Sequence, residues 1–142
     1  VDGLGAGSAG WGDAGVTVPW ALHQAYGDTQ VLEQAWPSML QWLDYLEENS
    51  TGRLRPASGY GDWLNIADDT PKDVIATAYY AHSADLVART ARVLGKDPAP
   101  YTALFTEIRD AFRTAYVTDG GRVKGDTQTA YVLALSMDLL TE

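Results

Sequence analysis

The 142-residue sequence contains no cysteine, two histidines and no apolar run near the ~20 residues that span a bilayer. Without cysteine there are no disulfides or thiolate metal sites, and His23 and His82 are too few for an imidazole zinc site. We therefore expect no metal and no cofactor. Residues 1–10 lack the basic start and apolar stretch of a signal peptide. The sequence as given predicts a soluble chain with no membrane partner, and its compartment, cytoplasmic or secreted, stays open.

Basic side chains are also scarce, since 10 Lys and Arg face 19 Asp and Glu and the formal net charge is -9. Such a chain has no basic surplus with which to release counterions from a phosphate backbone, so we expect no nucleic-acid partner. Hydrophobic residues make up 46% of the chain, which is enough for a sizeable core. We treat residues 1–142 as a single unit whose residues 1–10 form a Gly-rich segment.

Apolar residues at helical spacing predict five helices separated by Gly-Asp and Asp-Pro turns. The first has Asp13 as its N-cap and ends at Gly27, and the second is broken at Pro37. The third begins at Thr70 as N-cap, with a proline directly after it. The fourth is amphipathic and precedes a small predicted β-hairpin, and the fifth starts at Asp126 and continues to the end of the chain.

The second and fourth helices have one polar face, whereas the third has alanines on several faces and the fifth is mostly apolar. We therefore expect the first, third and fifth helices to lie inside and the second and fourth outside. The three apolar helices start near Asp13, Thr70 and Asp126, about 55 residues apart, each after a loop that carries an acid. This spacing exceeds the ~34 residues of one class of helical repeat and is near the ~40–47 of others, so a solenoid remains open. Inside helices that run in the same direction would place their acids and aromatics on one rim.

The segments that follow this pattern are "GWGDAGVTVPW", "GYGDWL" and "GDTQTAY". In their order and spacing they resemble the catalytic domain of bacterial α-L-rhamnosidases, from Gly10 onward. The resemblance implies an all-α fold, an (α/α)6 toroid of six helical hairpins. On this basis residues 1–142 would be a single fragment of that barrel, with about two and a half hairpins.

The resemblance also implies a function, the hydrolysis of terminal α-L-rhamnosyl bonds with inversion. An inverting glycosidase needs an acid and a base carboxyl about 6.5–9.5 Å apart and no metal. The expected partner is a rhamnosyl-containing carbohydrate or glycoside. By the same resemblance Asp13 matches an acid that hydrogen-bonds the rhamnose, and Trp11 and Trp63 match aromatic walls that stack on the sugar. Asp126 and Gln128 are further binding candidates on the same rim.

The sequence departs from the family pattern at the general acid. Many members carry a Glu seven residues before the acid matched by Asp13, and Ala6 stands there in this chain. The acid would then come from Asp2, from a residue upstream of Val1, or from elsewhere, and the family's base lies beyond the last residue. We therefore assign no catalytic residue within the fragment and expect it to be inactive alone.

Each candidate also has a structural explanation, since Asp13 and Asp126 suit helix caps and Trp63 suits a core. The chain could accordingly be a non-catalytic helical-hairpin interaction module, or part of another (α/α)6 carbohydrate-active enzyme. Convergence of Trp11, Trp63 and Asp126 on one concave end would favour the enzyme, and separate burial would favour the module. In a cut toroid, the apolar flanks of the first and last helices predict self-association.

Overall fold

The computed structural model describes residues 7–140, which form five α-helices. None of the helices in this range is both long enough and apolar enough to cross a membrane. The first and second helices form one hairpin, the third and fourth form another, and the fifth packs beside the third. The helices are α1 (Ala14–Tyr26), α2 (Gln30–Glu48), α3 (Lys72–Val93), α4 (Ala99–Tyr116) and α5 (Gln128–Ser136).

Helix α3 is the centre of the structure and packs against all four other helices. Its small residues allow neighbours to approach on every side, and Ala78, Ala81, Ala84 and Ala91 are fully buried. The expectation of an inside helix here is confirmed. The flanking inside helices are less covered, because Val16 is the buried residue of α1 and α5 buries two alanines.

Helices α2 and α4 each bury one apolar face, as their periodicity predicts. The predicted break at Pro37 is wrong, because α2 runs continuously from Gln30 to Glu48. A proline inside a helix removes one backbone hydrogen bond. Buried side chains on both sides of the proline, Leu32 and Met39, hold the two halves against the same core.

The starts of α1 and α5 differ from their predicted caps. Asp13 occupies the cap position of α1, but its side chain makes no capping hydrogen bond. At α5 the N-cap is Thr127, whose hydroxyl accepts from the Ala130 N–H at 3.2 Å. Asp126, the predicted cap, lies one residue earlier at a left-handed φ of 54°. Its predicted role as a simple cap is therefore wrong.

The remaining boundaries also shift slightly. Helix α3 begins at Lys72 with Pro71 at the cap position, so Thr70 does not cap it. The predicted β-hairpin is reduced to one antiparallel bridge between Val117 and Val123. Helix α5 ends at Ser136 instead of running on, and the turn that follows buries Leu139 completely. The three inside helices nevertheless start at residues 14, 72 and 128, which preserves the predicted spacing.

Candidate functional site

The N-terminal ends of α1, α3 and α5 border one cavity of about 510 Å³, which we call the tryptophan cavity. The loop before α1 and the loop before α3 complete its walls. The sequence predicts a shared rim where the inside helices begin, and this cavity lies at that place. Its lining residues are Ala9, Gly10, Trp11, Ala14, Gly61, Asp62, Trp63, Ile75, Tyr79, Thr129 and Leu133.

The two tryptophans that give this cavity its name are both largely solvent-exposed, Trp11 at 62% and Trp63 at 70%. The Trp11 ring packs against Tyr60, with centroids 5.4 Å apart and planes tilted by 42°. Neither indole is part of the core, and both line the same cavity, whereas Asp126, which the prediction placed at the same concave end, is absent from its lining. Exposed aromatic faces at a cavity suit ligands that combine an apolar face with polar edges.

Asp13, the predicted sugar-binding acid, does not line this cavity, because its side chain is turned inward and only 1% exposed. One carboxylate oxygen accepts hydrogen bonds from Trp42 Nε1 at 2.9 Å and from Ser83 Oγ at 2.7 Å. The other accepts from the Gly10 N–H at 2.8 Å. Burial raises the pKa of Asp13 above its ordinary value, and the hydrogen bonds from Ser83 and Trp42 oppose that shift. The carboxylate thus anchors the turn that carries Trp11.

The Trp11 turn is held on both of its sides. A Cβ atom at Gly12 would lie 2.1 Å from the Trp42 ring, so only glycine fits at this position. On the other side, Ser8 Oγ accepts from the Tyr60 N–H at 3.2 Å, which ties this turn to the loop that carries Trp63. This hydrogen bond and the ring contact between Trp11 and Tyr60 fix the position of Trp11 relative to the loop that carries Trp63.

A chain of hydroxyl groups fixes the second loop. The Thr70 hydroxyl donates to Asp62 Oδ2 at 3.0 Å and lies 2.7 Å from the Thr127 hydroxyl, which caps α5. Both threonines are 2% exposed. The loop before α3 is thus tied to the start of α5, and Asp62 stands at the cavity wall with one oxygen already engaged.

Tyr79 is a cavity residue that the sequence pattern does not single out. It lies on α3 one helical turn before Ser83, and burial together with the nearby Asp13 raises the pKa of its hydroxyl. The hydroxyl therefore stays protonated at neutral pH and can donate a hydrogen bond. In the sequence, Tyr79 is four residues before Ser83 and therefore on the same face of α3. This spacing points to Tyr79 only once the structure shows that Ser83 contacts Asp13.

The two remaining predicted site residues, Asp126 and Gln128, do not line the tryptophan cavity. Asp126 Oδ1 accepts a hydrogen bond from the Tyr131 hydroxyl, and Asp126 Oδ2 lies 3.7 Å from Arg122 Nη1. Gln128 lines a second cavity of about 370 Å³, which we call the flanking cavity. Its lining comprises Asp62, Leu64, Asn65, Ile66, Asp68, Thr127, Gln128 and Thr129.

The expectations for the general acid concern Asp2 and Ala6, which lie outside the described residues. Within residues 7–140, Asp62 is the carboxylate residue that lines the tryptophan cavity. An inverting glycosidase requires a pair of carboxyl groups. The described lining therefore offers at most one of the two acids.

Comparisons with known proteins agree with this architecture. The family model of the bacterial alpha-L-rhamnosidase 6 hairpin glycosidase domain matches residues 1–142. An alpha-L-rhamnosidase of Streptomyces avermitilis is 71% identical over 142 residues, which are 100% of this chain and 14% of that protein. The chain thus spans about one seventh of the length of this relative.

Solved structures give the same result. The crystal structure of Streptomyces avermitilis alpha-L-rhamnosidase complexed with L-rhamnose matches with a TM-score of 0.94 and 72% identity, over 95% of this chain and 13% of that chain. The native enzyme of Aspergillus terreus matches with a TM-score of 0.84 and 32% identity, over 95% of this chain and 17% of that chain. The chain therefore belongs to the six-hairpin glycosidase domain family of bacterial α-L-rhamnosidases.

Proposed function

We propose that this chain contributes the rhamnosyl-binding cavity of an α-L-rhamnosidase, an enzyme that hydrolyses terminal α-L-rhamnosyl bonds with inversion. The observation that carries the proposal is the meeting of Trp11 and Trp63 on one cavity at the N-terminal ends of the inside helices. The family relationship and the L-rhamnose complex of the Streptomyces avermitilis protein support it. In the interaction-module hypothesis the tryptophans have no reason to share a cavity.

Four residues of this cavity have roles that follow from their surroundings. Trp11 and Trp63 offer their exposed faces to the apolar side of the sugar ring. Asp62 and the protonated Tyr79 hydroxyl are placed to accept from and donate to sugar hydroxyls.

In this proposal Asp13 acts on the cavity indirectly, through the turn that carries Trp11. Its carboxylate is 1% exposed and holds the Gly10 N–H, so it positions Trp11. The chain supplies the binding surface, and the pair of carboxyl groups that an inverting reaction needs is not assigned to residues 7–140.

Titration of the chain with L-rhamnose tests the proposal. We expect saturable binding that Trp63→Ala weakens by about tenfold, or ~1.4 kcal/mol, because stacking supplies contact that hydroxyl bonds cannot replace. Tyr26→Ala is the control, since Tyr26 is 79% exposed on α1 and does not line the cavity. Equal affinity for the parent chain and Trp63→Ala would contradict the assignment of the wall.

A further inference from the structure

The loop before α3 places Asp62 at the wall of the tryptophan cavity, and hydrogen bonds hold the backbone of this loop on both sides of Asp62. On one side, Lys72 Nζ donates to the carbonyl oxygen of Gly59 at 2.9 Å. On the other side, Asn65 Nδ2 donates to the carbonyl oxygen of Asp62 and to Asp69 Oδ1, both at 2.9 Å. The direction of the Asp62 side chain is then set by the groups that contact its carboxylate.

Two buried hydroxyl groups, those of Thr70 and Thr127, hold this carboxylate, and we call them the threonine pair. The Thr70 hydroxyl donates to Asp62 Oδ2 at 3.0 Å, and the two threonine oxygens are 2.7 Å apart. The Thr127 oxygen also accepts from the Ala130 N–H at 3.2 Å. A hydroxyl group has one proton, and Thr70 gives its proton to the carboxylate. The contact between the threonines therefore requires Thr127 as the donor and Thr70 as the acceptor.

The burial of the threonine pair fixes this direction of donation. Both side chains are 2% exposed, so a hydroxyl proton without an acceptor would not find water instead. If Thr70 donated to Thr127, the Thr127 proton would have no acceptor among residues 7–140. Asp62 Oδ2 is therefore held as an acceptor, while Asp62 Oδ1 has no donor among the same described residues.

We propose that Thr70 and Thr127 are positioning residues, which hold Asp62 Oδ2 so that Oδ1 is the oxygen that accepts a hydrogen bond from a sugar hydroxyl. Neither threonine lines the tryptophan cavity, so both act through Asp62. The inference rests on the proposed function, because it requires a rhamnosyl unit in that cavity. It also links the start of α5, where Thr127 is the N-cap, to ligand binding at the loop before α3.

Calorimetric titration of Thr70 variants with L-rhamnose tests the role of the hydroxyl. Thr70→Val should weaken binding about tenfold, because the Asp62 carboxylate loses its donor and can rotate away from the ligand. Thr70→Ser keeps the hydroxyl and should bind within about twofold of the parent chain. Thr90→Val is the matched control, because Thr90 is fully buried on α3 and its hydroxyl has no hydrogen-bond partner among the described residues. It should bind like the parent.

Asp62→Asn tests the direction of donation without a change to the buried threonine pair. Because Thr70 still donates, the amide oxygen should stay on Thr70 and the NH₂ group should take the place of Oδ1. A sugar hydroxyl then loses its acceptor, and we expect binding about tenfold weaker than that of the parent. On this background, Thr70→Val should cause no further loss of affinity, because the threonine pair acts through Asp62.

The outcomes separate this inference from the proposed function. If the parent chain binds L-rhamnose and either Thr70→Val or Asp62→Asn keeps the parent affinity, the positioning role is overturned and the proposed function stands. Equal losses in Thr70→Ser and Thr70→Val overturn it as well, because the hydroxyl is then not the cause. The same holds if Thr70→Val weakens binding equally in the parent and in Asp62→Asn. If the parent chain binds no L-rhamnose, the proposed function fails and this inference fails with it.

Discussion

Asp13 is the residue whose role depends most on the tertiary structure. Its hydrogen-bond donors Trp42 and Ser83 are 29 and 70 positions away in the sequence. Local sequence therefore suggested a helix cap, the role that aspartate takes most often before an apolar helix. The family resemblance suggested a sugar contact. The inward orientation became visible only when α2 and α3 were placed around α1.

The pKa of Asp13 leads to a pH-dependent prediction. Burial raises that pKa in the folded chain above its ordinary value of 3.8, so the folded state binds this proton more tightly than the unfolded state does. The contribution of Asp13 to stability is then greatest below the unfolded pKa and is lost as the pH rises through the folded pKa. We expect the free energy of unfolding of the parent chain, relative to Asp13→Asn, to fall from acidic to neutral pH.

Urea unfolding of both proteins at several pH values measures this difference. The amide that Asp13→Asn introduces cannot titrate, and either of its orientations would turn an NH₂ group toward the N–H of Trp42 or of Gly10. The variant therefore carries a constant penalty, and only the slope against pH reports on Asp13. A difference that grows as the pH rises would show that the pKa is shifted the other way.

At the scale of helices and turns, the boundaries of α2 show how packing overrides propensity. A proline inside a helix costs about 3 kcal/mol, and on that basis the sequence predicts a break at Pro37. Leu32 and Met39 are both fully buried, and each such side chain contributes about 1.5–3 kcal/mol. Together they outweigh the local penalty. Sequence periodicity could identify the buried face of α2, but not the balance between these terms.

Two glycines at the start of α1 give an element-scale prediction with opposite signs. Gly12→Ala should destabilise the chain by about 2 kcal/mol, because its Cβ would lie 2.1 Å from the Trp42 ring. Gly15 is inside α1, and an added Cβ there meets nothing within 4 Å. Gly15→Ala should therefore stabilise the chain by about 0.5–1 kcal/mol through helix propensity.

Urea denaturation of the two alanine variants checks both signs. Gly12→Ala should also weaken L-rhamnose binding, because Trp42 must move and it is a donor to Asp13 beneath Trp11. Gly15→Ala should leave binding unchanged. Similar stabilities for the two variants would mean that the turn before α1 is not clamped against Trp42.

For the whole molecule, the order of inside and outside helices was predictable and the degree of burial was not. Alternating polarity and regular helix starts are properties of the sequence, and they predicted the order of the helices but left a solenoid open. The six-hairpin arrangement was implied by the resemblance to bacterial α-L-rhamnosidases, and the family model confirms it. Burial depends on the neighbours that are present. Helix α3 packs against all four other helices, whereas α1 packs against α2 and α3, and α5 packs against α3.

The outer flanks of α1 and α5 consequently present apolar side chains to solvent. On α1, Val18 is 52% exposed and Tyr26 is 79% exposed. On α5, Val132 is 55% exposed and Leu135 is 67% exposed. The sequence predicts a last helix that continues to the end of the chain, with Leu139 on its exposed flank, but Leu139 is completely buried, so the α5 patch is smaller than predicted. Contiguous apolar patches on a folded chain usually mark an interaction surface.

We therefore predict that the chain self-associates through these flanks. Burial of a fully exposed side chain of this size contributes about 1.5–3 kcal/mol, so several of them together can exceed the lower part of the ~4–15 kcal/mol cost of association. A two-fold dimer is the simplest closed assembly. Sedimentation over a roughly hundredfold concentration range should show a mass that rises above the 15.4 kDa of one chain.

The double variant Val132→Lys and Leu135→Lys should remain at that mass, because two cations cannot be buried in an apolar contact. The control variant Val93→Lys should associate like the parent chain. A parent chain that stays monomeric throughout, or a double variant that associates equally well, would show that the α5 flank is not the surface of association.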